Sequence, residues 1–460
     1  MRDLFFLGYL GLMAAWGLRR PFLFTLAYAY IDIVAPQRLS YYLLNALQVS
    51  LIMFLLALGG WLIADDKRDV RVAPRQFWML ALLLYCGYTT FNADVPVDAL
   101  AKWDWVWKAL VFAIFLPLTL RTRLRIEALA LTMVLSASAL IVTGGIKTLA
   151  SGGGYGALVL LVDNNTGLYE GSIISCVAIA LIPLIVWLAR FGTIFPLPDR
   201  RVQLYALALI FACLLIPIGT QARTGLVCIA VLGLLALRFT KRRLLYLGGI
   251  AALGAVTIPF LPTAFTQRMD TIQNYKADES ASTRLAVWAW TWDYVKDNPL
   301  GGGFDAYKQN KLRYELVQTD DNGFDTGERD TLEIVDEGRA YHSSYFEMLG
   351  ENGFFGLFVW LIIHVGGVCR MEAVRRRHRR RVAAGHMDED WIAPLALALQ
   401  SAEIVYLVGS IFVGIAFQPF VYMLVGMQIG LDTYCHRRVR GEATPARRAA
   451  RTDRADPQPS

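Results

Sequence analysis

Charge is what this sequence has least of. Only 18% of its 460 residues are Asp, Glu, Lys or Arg, while 56% are hydrophobic; an ordinary soluble protein has about 25% charged and about 45–50% apolar residues. That shortage excludes a string of soluble domains. Cysteine is also sparse. The six, at 86, 176, 213, 228, 369 and 435, fall within apolar stretches or at their inner ends and none lies in the largest external segment, so no disulfide framework is expected there. No His or Cys cluster has metal-ligand spacing, so no metal centre or cofactor is required, and only the acidic residues of that external segment leave a divalent ion open. No small-x-small site followed by a polar start succeeds the first apolar run, so a cleavable signal is not expected.

What the sequence has in abundance is long apolar runs, among them Leu43–Ala64, Gly171–Ala189, Gln203–Gly219, Leu244–Pro262 and Phe354–Val368. A helix crossing a bilayer needs about 20 mostly apolar residues, and the runs predict an all-α polytopic membrane protein. The net charge of +7 follows the same plan. Arg and Lys gather in blocks at 67–75, 121–125, 190–201, 238–243, 370–381 and 437–454, which hold 28 of the 45, while the intervening short connections hold only Lys102, Lys147 and Arg223. That alternation is the positive-inside pattern, so the basic excess reads as topology and no nucleic-acid partner is expected.

With the basic blocks inside, spans fall near 43–64, 77–91, 105–120, 126–146, 171–190, 203–220, 224–238, 244–262, 344–369, 393–416 and 418–435. Leu4–Leu18 and Pro21–Ala35, separated by Arg19 and Arg20, read as two short helices or one broken crossing, giving twelve to thirteen spans. The chain divides into N-terminal membrane helices (1–262), a large external loop (263–343), C-terminal membrane helices (344–435) and a basic cytoplasmic tail (436–460). The tail after Gly441, rich in Arg, Ala and Pro, is expected to be disordered.

The external segment 263–341 carries 15 Asp and Glu against 9 Lys and Arg, opposite to the inner blocks, and a loop this long is uncommon unless functional or disordered. Ser282 and Thr283 offer an N-cap, Leu285, Trp288, Trp292 and Val295 repeat at helical spacing, and Asn298-Pro299 with Gly301–Gly303 stops the helix. Trp288, Trp290 and Trp292 suit a helix at headgroup level. The polar, acidic stretch 318–336 is expected to be mobile.

Candidate site residues gather on this outer face. Arg223, on the short turn Gln221–Gly225, adjoins the start of a helix with Thr224 as its cap; it reads either as an arginine snorkelling to lipid phosphates or as an anion clamp. His342, where the loop returns to the membrane, reads either as a hydrogen-bonding interface residue or as a general base. Ser344 and Glu347 have capping-box spacing. Glu347 and Glu351 lie at a depth where carboxylates face a polar cavity or a partner, and are positioned to orient His342 or an arginine; ionised beside His342, they would raise its pKa. Arg284 reads as a solvated helix charge unless it serves the site. Lys108, one turn inside a span, reads as snorkelling beside Trp103, Trp105 and Trp107 or as a substrate contact.

These motifs, in this order and on this side of the membrane, resemble the O-antigen ligase and O-antigen polymerase family: Arg223-Thr224-Gly225 opening a span, Arg284 with Trp288, then Asn298-Pro299-Leu300-Gly301, then His342 leading into Tyr345, Leu349, Glu351, Gly353 and Gly356. The turn Asp163-Asn164-Asn165 and the opening 1–38 with its Arg-Arg-Pro-Phe resemble the branch of putative O-glycosylation ligases associated with exosortase systems. Ser343 stands where many members have Asn.

The resemblance implies a glycosyltransferase C-like fold in the bacterial inner membrane, its active site facing the periplasm. It implies an undecaprenyl-diphosphate-linked glycan as donor. The acceptor is left open among lipid A core, a glycan repeat and a protein hydroxyl, as is ligase against polymerase. On this reading Arg223 and Arg284 stabilise charge developing on the leaving pyrophosphate, Lys108, Glu347 and Glu351 contact substrate, and His342 takes the acceptor proton with inversion at the anomeric carbon. The rival class, a flippase or transporter of lipid-linked glycans, calls for internal repeats and polar breaks within spans, whereas the polar residues here gather at one face.

Overall fold

The computed structural model describes residues 2–40, 44, 47–67, 69–155, 167–195, 199–238, 242–243, 248, 279–317 and 331–452. The Asp163–Asn165 turn and nearly all of the expected span 244–262 lie outside the described residues. Within them the chain is almost wholly helical: α1 (Arg2–Gly17), α2 (Phe22–Val34), α3 (Pro36–Leu39), α4 (Val49–Ala64), α5 (Pro74–Phe91), α6 (Pro96–Thr119), α7 (Arg123–Ser151), α8 (Gly171–Phe191), α9 (Arg200–Thr220), α10 (Arg223–Leu237), α11 (Glu279–Asp297), α12 (Ser344–Ala383), α13 (Ile392–Gly409) and α14 (Pro419–Thr452). One antiparallel hairpin, β1 (Lys311–Val317) with β2 (Thr331–Glu337), completes it.

Local chemistry sets several boundaries. Pro74 and Pro96 open α5 and α6 at the position where a missing N–H is harmless. Thr122, Glu170 and Asp199 cap α7, α8 and α9 through their side chains, and Gly152 ends α7 in the left-handed region.

Among the described residues, five helical segments are long and apolar enough to cross a membrane: α7, α8, α9, α12, and α13 with the short turn before it. Four shorter apolar helices, α1, α2, α4 and α10, accompany them. Fewer segments meet that standard than the twelve to thirteen expected, in part because polar ends dilute α5 and α6, with Arg75, Asp98, Lys102, Asp104 and Lys108. The N-terminal alternative resolves as two short helices. The tail is helical to Thr452 rather than irregular from Gly441; its Ala and Arg residues are strong helix formers.

One continuous apolar core joins the helices. α8 packs on α9, α10 and α13, α12 on α5 and α13, and α6 on α14. Buried polar residues also cross it: His364 of α12 lies 2.5 Å from Glu403 of α13, whose other oxygen accepts from Gln428 of α14, and Gln428 accepts from Arg75 of α5. At one end of the bundle Arg125 grips Asp65 with two bonds of 2.6 Å, Arg123 donates to the Phe191 carbonyl and Arg437 to that of Leu120. The starts of α6, α8 and α12 meet at the opposite end, and there a polar cavity opens.

Candidate active site

Six acidic or basic side chains and one imidazole, Lys102, Glu170, Arg284, Asp305, Glu347 and Glu351 with His342, come from distant parts of the chain to line a cavity of about 520 Å³. Four are sequence candidates, drawn from α11, the segment before α12, and α12 itself. Lys102, Glu170 and Asp305 are not.

Three contacts hold His342 in place. Tyr341 is buried with Val287 of α11 and Leu312 of β1 in a small separate core. Trp288 donates from its indole to the Tyr341 carbonyl at 2.9 Å and stacks on Phe346 at 4.9 Å. Tyr307 meets the Tyr341 ring edge-on. His342 itself adopts φ 48°, a left-handed conformation that few side chains take without cost and that concentrates at functional sites.

α11 differs in detail from the expected helix. It is already helical at Glu279, so Ser282 and Thr283 lie within it and do not cap it. Its buried stripe is Thr283, Val287, Thr291 and Val295, whereas Leu285 and Trp292 are about half exposed; residues spaced by four face the small core. Half-buried Arg284 is carried beside that stripe to the cavity. The segment expected to be mobile up to residue 336 is, from Thr331 onward, strand β2 paired with β1; alternating Leu332, Ile334 and polar neighbours suit a strand.

Glu347 and Glu351 do not orient His342. They hold Lys102, at 2.7 Å and 2.8 Å, and Asp305 stands 3.8 Å from the same ammonium. The Asp305 N–H donates to Glu351 at 3.0 Å, and Asp305 has φ 58°. Burial raises the pKa of Asp305, partly offset by Lys102 and Lys308. Among the described residues no group of three or more His, Cys, Asp or Glu is arranged to hold a metal ion; the three carboxylates converge on an ammonium.

The expected capping box does not form either. Ser343 is the N-cap and makes no side-chain cap bond. The Ser344 hydroxyl donates to the Val413 carbonyl and accepts from Ile415 N–H, while Glu347 accepts from Ala416 N–H at 3.0 Å. The segment after α13 thus outcompetes the local motif, because it offers backbone groups that need partners inside the protein.

The Asn298–Gly303 turn locks onto a break in α12. Gly302 N–H donates to Gly350 O, Gly303 N–H to Glu351 O, and Phe354 N–H to Pro299 O. α12 is non-helical at Gly353, φ 61°. This seam fixes the turn of helix that carries Glu347 and Glu351.

His342 faces the cavity, yet the surrounding protein and then the cations of Arg284 and Arg339 push its pKa below 6.5. The shift is downward, not the upward one expected from Glu347 and Glu351, whose carboxylates pair with Lys102.

Two candidates lie elsewhere. Lys108 pairs with Asp104 on its own helix at 3.0 Å and does not line the cavity. Arg223 opens α10, whose N-cap is Ala222, so Thr224 is buried inside the first turn rather than capping it; Arg223 is not in the cavity lining. Gly225, two residues on, packs against Ser175, one turn from the lining residue Ser172.

Lys102 had a signal in the sequence. Like Arg223, it is a cation on a connection that the positive-inside pattern keeps free of them. Asp305 had only its place after three glycines.

Two families match the chain. Residues 205–361 match the family model described as O-Antigen ligase, and residues 1–193 match a family of unknown function (DUF5935). No curated protein matches.

Proposed function

From its membership of the O-antigen ligase family over residues 205–361, we propose that this membrane protein transfers a glycan from an undecaprenyl-diphosphate carrier to an acceptor hydroxyl, with inversion, in the cavity of Arg284 and His342. One observation supports the reading above all. Two groups the reaction needs, a fixed cation and a base whose neutral form is favoured, line the same cavity.

The acceptor oxygen attacks the anomeric carbon as the bond from that carbon to the phosphate oxygen breaks. The acceptor proton passes to the His342 imidazole, and the electron pair leaves on the pyrophosphate of the carrier. Arg284 faces the charge that develops there, where a preorganised donor lowers the barrier most. Arg223, at the start of α10, is assigned to the more distant phosphate through its guanidinium and the positive end of that helix dipole. Lys102 positions Glu347 and Glu351, and through them the start of α12 beside His342.

The cavity lies at the end of the bundle opposite the arginine blocks, which supports a periplasmic site. The acceptor, whether lipid A core, a glycan repeat or a protein, is read by no motif described above. The test is transfer from a purified lipid-linked glycan by reconstituted protein, wild type against His342→Ala. Equal rates would remove the proposed base.

A further inference from the structure

Beside the cavity of His342 lies a second polar chamber, of about 480 Å³, and the two share Lys102, Asp305 and Glu347 as a common wall. The new lining comes mostly from the N-terminal region that matches a family of unknown function: Asp32, Gln37, Arg38, Trp105 and Tyr169, with Gln418 from the C-terminal part. Its size is in the range of small-molecule sites, about 300–1,000 Å³.

Three features indicate what it binds. Trp105, 40% exposed, lines the chamber and offers it a flat apolar platform. The Gln37 side-chain oxygen is buried and has no hydrogen-bond partner among the described residues; an acceptor left so is costly unless a ligand supplies the donor. The charged groups around the chamber are three carboxylates, Asp32, Asp305 and Glu347, against two cations, Arg38 and Lys102, a balance that disfavours a phosphate and suits a neutral ligand with many hydroxyls. The backbone supports the arrangement. Ala35, at φ 48°, turns the chain from α2 into α3 and presents Gln37 and Arg38 at the chamber.

We propose that this chamber is a subsite for a pyranose unit, its apolar face on Trp105 and its hydroxyls on Gln37, Arg38 and Gln418. The inference rests on the glycosyl-transfer reading and adds to it: the N-terminal region binds sugar next to the reacting centre. The shared chemistry is a pyranose, carried by the donor glycan or by the acceptor.

Two measurements on the full chain in nanodiscs test it. The first is saturation-transfer NMR with methyl glycosides of glucose, galactose, N-acetylglucosamine and rhamnose. At least one is expected to bind wild type and His342→Ala, and to lose its signal with Gln37→Leu and with Trp105→Leu, which keeps apolar bulk if Trp105→Ala unfolds. The second is steady-state transfer. Gln37→Leu is expected to raise KM for one glycan substrate about tenfold, the equivalent of one lost buried hydrogen bond, with kcat changed far less. A higher donor KM places the donor glycan in the chamber; a higher acceptor KM places the acceptor there. Absence of any glycoside binding to wild type, or binding that both substitutions leave intact, overturns the subsite. Absence of transfer by wild type overturns the reaction reading instead, and the NMR result still decides the chamber.

Discussion

Gly301 and Gly353 meet backbone to backbone, with no space for a side chain on either. A Cβ on Gly301 would stand 2.5 Å from the Glu351 carbonyl oxygen, and one on Gly353 would strike the Pro299 carbonyl; both residues have positive φ, 86° and 61°. Alanine at either position therefore meets a backbone clash and a left-handed penalty of about 1–2 kcal/mol. Gly353→Ala is expected to lower transfer sharply while the protein remains in the membrane, because the seam that shifts carries Glu347 and Glu351. Gly366, where a Cβ would meet nothing within 4 Å, is the control on the same helix: Gly366→Ala should keep full activity. Equal activity of the two variants would show that the seam does not shape the site.

Lys102 answers three carboxylates, so its removal leaves buried negative charge. Breaking a buried pair by deleting one partner costs about 3–5 kcal/mol. Lys102→Met is expected to lower the Tm of the purified protein strongly, and Lys102→Met with Glu351→Leu to recover part of that loss. If the double variant is no more stable than the single one, the charge cluster is not what the lysine stabilises.

How much of this could be read in the sequence depends on distance along the chain. Arg284, His342, Glu347 and Glu351 sit within short motifs whose order groups them on one face, and all four line the cavity, whereas Arg223 and Lys108, grouped with them by the same reading, do not. Lys102 reaches Glu347 across 245 positions, and no local spacing records such a pairing. Ser344 shows the converse. Its spacing to Glu347 satisfied a local rule, and tertiary partners at Val413, Ile415 and Ala416 overrode it. On α11 the expected repeat was Leu285, Trp288, Trp292 and Val295; Val295 is buried, but the rest of the buried stripe is the smaller Thr283, Val287 and Thr291, since a large residue at an interface can remain half exposed.

Arginine substitutions separate charge stabilisation from snorkelling. Arg284→Ala is expected to reduce turnover by about 10²–10³, the usual loss for one donor to a developing charge. Arg223→Ala, outside the cavity lining, should cost less in turnover and more in donor KM. Lysine should rescue Arg284 poorly, since an ammonium lacks the bidentate fork that matches a phosphate. Rates measured across donor concentrations check both, and full activity of an alanine variant removes that residue from the site.

The pH profile tests His342 most directly. The neutral imidazole is the base, so activity should be flat at high pH and fall as pH drops through the pKa of the ring. Burial and the cations of Arg284 and Arg339 hold that value below 6.5, so the inflection belongs on the acid side of 6.5. Neutralising a neighbouring cation favours the charged ring. Arg339→Gln, which leaves Arg284 in place, should therefore move the inflection upward while transfer at high pH continues. A purely structural His342 predicts otherwise. His342→Asn tolerates the left-handed backbone, so it would keep turnover, and the Arg339 substitution would leave the profile where it was. Transfer by wild type, Arg339→Gln and His342→Asn from about pH 5 to 8, the range over which an imidazole titrates, distinguishes the two roles; an active asparagine variant with an unmoved profile would leave the fold and the family standing and take the base away.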